Sequence, residues 1–177
     1  NRGHESPCSW QNLRINTYKA QFPAMKQDRY DRAILRILQR DGRISNVELA
    51  SRVNLSESAC LRRVRALEQA RLIQRYAALL DQNQAGLPGN VFVSITLQRE
   101  EQRDLDAFEA AVRELPEVME GYLMTGEFDY LLRLVVSDVA DFERIHRQHL
   151  ATLPGVARVH SSVALRTVRR TTELPIP

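Results

Sequence analysis

Apolar residues in the first half of the chain recur at helical spacing in three short runs. The first run begins after Asp28 and is marked by Ala33, Ile34, Ile37 and Leu38. We expect this helix to end at Asp41–Gly42, where Gly can adopt the left-handed conformation of a C-terminal cap. The second run follows Ser45, which together with Glu48 has the spacing of a capping box. Asn54 is expected to end the second helix, because Asn tolerates left-handed backbone.

The third run starts at Ser56, a second candidate N-cap, and is predicted to bury one stripe of its helix. That stripe consists of Cys60, Val64, Leu67 and the stem of Arg71. Only a turn of about three to four residues separates this helix from the one before it. Three helices with so short a turn predict a compact helix-turn-helix unit.

The periodicity changes after a loop over residues 81–90 that is rich in Gly, Asn and Pro. Alternating or continuous apolar residues predict four strands, at Val91–Leu97, Val118–Met124, Tyr130–Val136 and Val156–Leu165. Two helices are predicted between them, one marked by Leu105, Phe108, Val112 and Leu115 and the other by Phe142, Ile145, His149 and Leu153. The order is therefore βαββαβ. It predicts an α+β chain whose second half is a ferredoxin-like sandwich, with both helices on one face of a four-stranded sheet.

The third predicted strand is apolar on both of its faces. Leu131 and Val135 point to one face of the sheet, whereas Leu132 and Leu134 point to the other. Two helices can cover only one face. We therefore expect the second face to pack against another copy of the chain, which predicts a homodimer.

These patterns divide the chain into five segments. Residues 1–24 show neither helical nor strand periodicity and are predicted to be a disordered or non-native leader. The segments that follow are the helix-turn-helix unit at 25–80, a linker at 81–90, the ferredoxin-like unit at 91–170 and a C-terminal tail at 171–177.

Composition excludes several classes of protein. Apolar residues make up 44% of the chain and charged residues 27%, as in an ordinary globular protein. No apolar run approaches the ~18 residues of a membrane span, and residues 1–24 lack the apolar core of a secretory signal. Two widely separated cysteines argue against a disulfide framework and a cysteine zinc site. The expected location is the cytosol.

Charge is distributed unevenly between the two halves. Residues 25–80 carry twelve Lys or Arg against six Asp or Glu, whereas residues 81–177 carry ten against fifteen. A basic block followed by an acidic one suggests two modules with different partners, the first of them a polyanion.

The outer face of the third helix carries the residue types of a DNA-recognition helix. A step of 100° per residue places Arg62 and Arg65 opposite the apolar stripe, where they can reach guanine edges or phosphates. Hydroxyls near the N terminus can meet phosphate. The candidate DNA-binding residues are Ser56, Ser58, Arg62, Arg65 and Gln69. Arg63, beside the stripe, is expected to form an ion pair inside the unit. The alternative is that this face is merely solvated, as charged helix faces usually are.

The turn between the second and third strands carries candidate ligand-binding groups. A free amino acid presents an ammonium group, which Asp129 can bind, and a carboxylate, which backbone N–H groups near Gly126 can bind. A hairpin turn with solvated acids explains the same residues without a ligand.

Two parts of the sequence resemble one known family. Residues 31–50 (DRAILRILQRDGRISNVELA), 53–56 (VNLS) and 60–68 (CLRRVRALE) are similar to the N-terminal winged helix-turn-helix of the Lrp/AsnC (feast/famine) regulators. Residues 121–133 (GYLMTGEFDYLLR) resemble the signature of that family's amino-acid-sensing domain. The resemblance covers about residues 25–175, and residues 171–176 (TTELPI) are similar to the ending of one branch of the family.

The sequence departs from the family pattern at three positions. Glu57 stands where many members have Pro, which bears on base preference. Asn54 and Arg71 stand where many members have Gly.

The resemblance implies a transcriptional regulator that binds double-stranded DNA and a small amino acid. Its members bind the amino acid at this loop between subunits, with help from the fourth strand. The implied effector-binding residues are Met124, Thr125, Gly126, Glu127, Asp129, Ser161 and Ser162. The resemblance also implies a homodimer that assembles to an octamer, and a place in the bacterial or archaeal cytosol with the nucleoid.

Other functions find less support in the residues. His146 and His149 have a spacing that metals can use, but no Cys or suitably placed acid accompanies them. No metal, cofactor or catalytic residue is therefore expected. Two alternatives stay open: an architectural DNA-wrapping protein without an effector, and an amino-acid-metabolising enzyme whose ferredoxin-like domain is regulatory.

Overall fold

The computed structural model describes residues 26–177 and divides into two compact units. The helical unit comprises the described residues up to Ala77 together with Thr171–Pro177, and the sheet unit comprises Ala78–Arg170. The leader predicted at residues 1–24 lies outside the described residues.

The helical unit is built from α1 (Arg29–Leu38), α2 (Asn46–Arg52) and α3 (Glu57–Gln69). Its core comes from all three helices and the turn between α2 and α3, and consists of Ile34, Leu35, Leu49, Ala50, Val53, Cys60 and Leu67. The predicted stripe of α3 is confirmed for Cys60 and Leu67, which are both fully buried.

Both serine caps are confirmed, but the capping box lies elsewhere. The Ser45 hydroxyl accepts from the backbone N–H of Glu48, whereas the Glu48 carboxylate pairs with Arg52 instead of returning to the cap. The reciprocal box is formed at the start of α1, where the Asp28 carboxylate accepts from Asp31 N and the Asp31 carboxylate accepts from Asp28 N. Asp fills both roles because each needs only a short acceptor side chain.

The residues predicted to end the helices do so in only some cases. Asn54 has φ of +55° and ends α2 as predicted. Helix α1 ends earlier than predicted, at Leu38, and Gly42 does not have positive φ, so the predicted glycine cap is wrong. The buried stem predicted for Arg71 is also wrong, because α3 ends at Gln69 and Arg71 is exposed with φ of +55°.

The sheet unit has the predicted βαββαβ order. Its elements are β1 (Gly89–Leu97), α4 (Gln102–Arg113), β2 (Val118–Leu123), β3 (Tyr130–Val136), α5 (Val139–Gln148) and β4 (Val156–Val163). A short 3₁₀ turn at Leu150–Thr152 follows α5. The strands form one sheet in the order β2-β3-β1-β4, and every pair is antiparallel, which confirms the ferredoxin-like sandwich.

Strand register assigns the two faces of the sheet. Val93 lies opposite Leu132 and packs in the core under the helices, together with the fully buried Phe108 and Ile145. Phe92, on the opposite face, is 39% exposed and stands outside that core. The predicted alternation of β3 is therefore confirmed, with Leu132 and Leu134 facing the helices and Leu131 and Val135 on the other face.

Candidate functional site

Contacts inside the helical unit fix the start of α3. The hydroxyl of Ser56 accepts from the backbone N–H of Ala59 at 3.3 Å. The side-chain amide of Asn46, at the start of α2, donates to the carbonyl of Glu57 at 2.9 Å. The first turn of α3 is thus anchored by its own cap and by the neighbouring helix, so its remaining N–H groups point outward in a fixed direction.

The predicted recognition residues form one exposed row on α3. Ser58, Arg62, Arg65 and Gln69 are all exposed. Within residues 26–177, neither Arg62 nor Arg65 forms an ion pair. The fifth predicted residue, Ser56, is exposed as well, but its hydroxyl is occupied as the cap. The row therefore offers two free guanidinium groups to an external anion.

Arg63 is engaged inside the unit, as predicted. Its Nη1 lies 2.8 Å from Oδ1 of Asp31 and 2.9 Å from Oδ2 of Asp28. The hydrogen bond from Asp31 N is the main cause that lowers the pKa of Asp28, and the pairing with Arg63 adds to it. The hydrogen bond with the Asp31 carboxylate is likewise the main cause that raises the pKa of Arg63. A charge at the edge of the recognition face is thereby neutralised.

One residue beside this row was not among the predicted recognition residues. Leu61 is 38% exposed and flanks Arg62 and Arg65 on the helix surface. An apolar side chain at such a place can contact a thymine methyl group in the major groove. A Leu placed between the buried stripe and the polar row is the sequence signal for it.

The loop that joins β2 to β3 is tied down at one residue. The carboxylate Oδ2 of Asp129 accepts from the backbone N–H of Leu97 at 2.7 Å, and Asp129 N donates to the carbonyl of Ile95 at 2.9 Å. The carbonyl of Asp129 accepts from Met124 N at 2.7 Å, which closes the loop. Asp129 thus has a structural role that the sequence analysis did not predict, and one carboxylate oxygen serves it.

The rest of the loop is open. Thr125, Gly126 and Glu127 are exposed, and Met124 is 37% exposed. Gly126 has φ of +133°, a conformation that other residues rarely adopt, and no atom lies within 4 Å of the position of a Cβ there. The glycine therefore exposes backbone that a ligand can approach closely.

The two predicted serines of β4 lie apart from this loop in the chain. Ser161 pairs with Val93 and Ser162 with Phe92, so the two serines point to opposite faces of the sheet. Strand β4 pairs with β1, and β1 separates it from β3. One chain therefore does not bring the serines and the loop together through strand pairing.

Cys60 and His146 have surroundings that suit a structural role. Cys60 is fully buried, and this burial raises the pKa of its thiol. His146 packs edge-on against the ring of Phe142. In the described part of the chain, no cluster of three or more His, Cys, Asp or Glu is arranged to hold a metal ion.

Of the helices that the structure describes, none has both the length and the apolar content needed to span a bilayer.

Two family models match the chain. Residues 27–74 match winged helix-turn-helix DNA-binding, and residues 90–174 match the Lrp/AsnC ligand binding domain. The matched ranges correspond to the helix-turn-helix and the four-stranded sheet described above.

Other proteins are similar to this chain over nearly their whole length. The leucine-responsive regulatory protein of Salmonella typhimurium is 44% identical over 154 residues, which cover 87% of this chain and 94% of that protein. A crystal structure of an AsnC family transcriptional regulator from Agrobacterium tumefaciens is 40% identical, with a TM-score of 0.81, and the match covers 84% of this chain and 97% of that one. A transcriptional regulator from Neisseria meningitidis, solved as a complex with L-Met, is 39% identical with a TM-score of 0.80 and coverage of 84% and 96%.

These matches extend over both units and agree with the fold of each. They place the chain among regulators and not among enzymes. The chain belongs to the Lrp/AsnC family of transcriptional regulators and combines a helix-turn-helix that binds DNA with an amino-acid-binding domain.

Proposed function

We propose that the chain is a sequence-specific DNA-binding regulator that inserts α3 into the major groove. The observation that carries this proposal is the exposed row on α3, in which Arg62 and Arg65 have no partner among the described residues while Arg63 between them is paired. Guanidinium groups in such a row suit guanine edges and phosphates, and the side chains of Ser58 and Gln69 extend the polar contact.

We propose that the effector is a small amino acid bound at the loop between β2 and β3. Asp129 keeps Oδ1 free of hydrogen bonds within the described residues and can pair with an ammonium group. Open backbone beside Gly126 suits the carboxylate. The Neisseria regulator solved with L-Met supports an amino acid as the ligand class. Ser161 and Ser162 point to opposite faces of β4, which β1 separates from the loop's strands, so their part in this site is proposed to come from another subunit.

We propose that the chain forms a homodimer through the sheet face that the helices leave open, with further assembly to an octamer. Phe92 and Tyr122 on that face are 39% and 53% exposed, and such apolar surface favours burial against a second copy. An amino acid bound between subunits then changes the distance between recognition helices. The free energy by which the amino acid changes DNA binding cannot exceed the difference between its binding free energies for the two arrangements of the subunits.

The second candidate function is an architectural protein that wraps DNA without an effector. The exposed arginine row favours it as much as it favours the first. The two candidates differ at the loop of residues 124–129, which the architectural protein does not use. Either protein acts where its DNA is, so we place the chain in the cytosol with the nucleoid.

The experiment that separates the candidates is a thermal-shift screen with the twenty amino acids. A specific ligand raises the unfolding temperature in proportion to RT ln(1 + [L]/Kd). Amino acids that do so are then added to a mobility-shift assay with the DNA upstream of the chain's own gene. An altered DNA shift supports the regulator. A DNA shift that no amino acid alters, together with no thermal shift, supports the architectural protein.

A further inference from the structure

Residues 173–176 contact the C-terminal end of α1 and the two residues that follow this helix. The side-chain amide of Gln39 contacts Leu174 on both sides, donating to its carbonyl at 3.3 Å and accepting from its N–H. Nη2 of Arg36 donates to the carbonyl of Ile176 at 3.1 Å. The guanidinium of Arg40 lies 3.0 Å from the carboxylate of Glu173. Arg36 in the last turn of α1, together with Gln39 and Arg40 just beyond its end, therefore holds three of the four residues in segment 173–176.

The sequence of this segment gives it a defined shape. The hydroxyl of Thr171 accepts from the backbone N–H of Glu173 at 3.1 Å. The N–H of Ile176 donates to the carbonyl of Leu174 at 2.9 Å, which makes a tight turn centred on Pro175. The fixed φ of Pro suits the central position of such a turn. Because these two features order the segment locally, less conformational entropy is lost when it docks.

Most of the attachment comes from Ile176 and the backbone contacts. Ile176 packs against the core of the helical unit and is partly buried. Leu174, two residues earlier, is 72% exposed and contributes only its backbone. The side chains of Arg40 and Glu173 are 73% and 44% exposed, and ion pairs with such exposure stabilise little.

The contact of the tail with the helical unit changes the number of connections between the two units. The chain leaves the helical unit after Ala77 and returns to it at Thr171. With the tail undocked, one covalent connection would join the DNA-binding unit to the sheet unit. With the tail docked, there are two.

We propose that the surface formed by Arg36 in the last turn of α1 and by Gln39 and Arg40 just beyond it is the docking surface for residues 173–176 of the same chain. The docked tail acts as a second connection that limits the orientations of the DNA-binding unit. A second attachment point restricts the orientations that a linked unit can adopt, and it does so without any new contact with DNA. The orientation of the recognition helix is thus controlled in part by the C terminus. The DNA part of this inference rests on the proposed function, whereas docking itself does not.

Hydrogen exchange tests the docking. A chain that ends at Arg170 and the variant Ile176→Ala should exchange the backbone amides of α1 about tenfold faster than the unchanged chain, because a packed Ile is lost from the core of the unit. Leu174→Ala removes a Leu of equal size from an exposed position and should leave exchange unchanged. Equal exchange in all four proteins would overturn the docking surface.

Two half-sites on one DNA duplex test the second connection. The unchanged chain should bind two half-sites in phase more tightly than two half-sites shifted by about 5 bp, half a helical turn. The chain that ends at Arg170 should bind a single half-site with the same affinity as the unchanged chain. The logarithm of its affinity ratio between in-phase and shifted half-sites should fall by at least half. If the truncated chain keeps the same preference for in-phase half-sites as the unchanged chain, the tail does not restrict the orientation of the DNA-binding unit. If no protein binds any duplex, the proposed function fails while the exchange result still decides the docking.

Discussion

The guanidinium of Arg63 on α3 lies 2.8 Å from the carboxylate of Asp31 on α1. Asp31 is the only charged residue buried in the described part of the chain, at 6% exposure. The pair therefore joins the recognition helix to the helix behind it and also satisfies a buried charge. Its neighbours Arg62 and Arg65 remain free to face outward.

Loss of Arg63 should destabilise the helical unit far more than loss of its neighbour. Arg63→Ala leaves the Asp31 carboxylate without its partner and should lower the free energy of unfolding by about 1–3 kcal/mol. Arg62→Ala removes an exposed side chain and should change it by less than about 0.5 kcal/mol. Urea unfolding followed by circular dichroism measures both. Equal losses for the two variants would contradict the buried pair.

Arg71→Gly should stabilise the helical unit. Arg71 holds φ of +55°, which costs an L residue about 1 kcal/mol and costs Gly almost nothing. The gain should appear as a higher urea midpoint. Arg75→Gly is the control, because Arg75 is exposed and does not have positive φ, so the same loss of charge there should bring no gain. A midpoint that falls in Arg71→Gly would refute the strain.

Acid should weaken the sheet unit through Glu120. Hydrogen bonding from Arg133 is the main cause that holds the pKa of Glu120 below its ordinary value. A lowered pKa in the folded state means that the contribution to stability is present at neutral pH and is lost as pH falls through the folded value. The effect is modest because Glu120 is 44% exposed.

Unfolding measured between about pH 6 and pH 3 checks this contribution. Glu120→Gln should flatten the acid side of the stability curve. Glu114→Gln, at an exposed position without a hydrogen bond to another described side chain, should leave the curve as it is. Identical curves for Glu120→Gln and the unchanged chain would show that the pair with Arg133 contributes nothing.

Two substitutions at Asp129 should separate its structural role from its role toward an effector. Asp129→Asn keeps an oxygen that can accept from Leu97 N but removes the charge that an ammonium group needs. It should abolish amino-acid binding at nearly unchanged stability. Asp129→Ala also frees the loop and should lower the unfolding temperature. Calorimetric titration with the amino acid from the thermal-shift screen measures binding; full binding by Asp129→Asn would exclude the proposed ammonium contact.

Local patterns were sufficient to predict the fold. The change of period after residue 80 predicted every strand and helix of the sheet unit, because each element buries one regular face. Asn54 at positive φ was predictable from its side chain. Arg71 at the same φ was not, because only the contacts that follow α3 impose that conformation on a residue that disfavours it.

Contacts between distant residues limited the site prediction. The outer row of α3 follows from helical geometry alone, so the sequence predicted its exposure correctly. The bond from Leu97 N to Asp129 joins residues 32 apart, and the contacts of the C-terminal tail with α1 span more than 130. No periodicity reports such pairs. Ser161 and Ser162 were predicted together in one site, although alternation along a strand sends neighbouring side chains to opposite faces of the sheet. Their position two strands from β3 requires the strand order.

The salt dependence of DNA binding by an Arg62→Ala/Arg65→Ala variant tests the central claim most directly. The probe is a random-sequence DNA duplex, so no operator needs to be known, and the matched control is Arg103→Ala/Arg113→Ala, which removes the same charge from α4. Each lost phosphate contact should reduce the slope of log K against log salt by about 0.9. We expect weaker binding and a slope smaller by about 1 to 2 for the α3 variant alone. Equal slopes for the two variants would contradict the placement of α3 in the DNA groove.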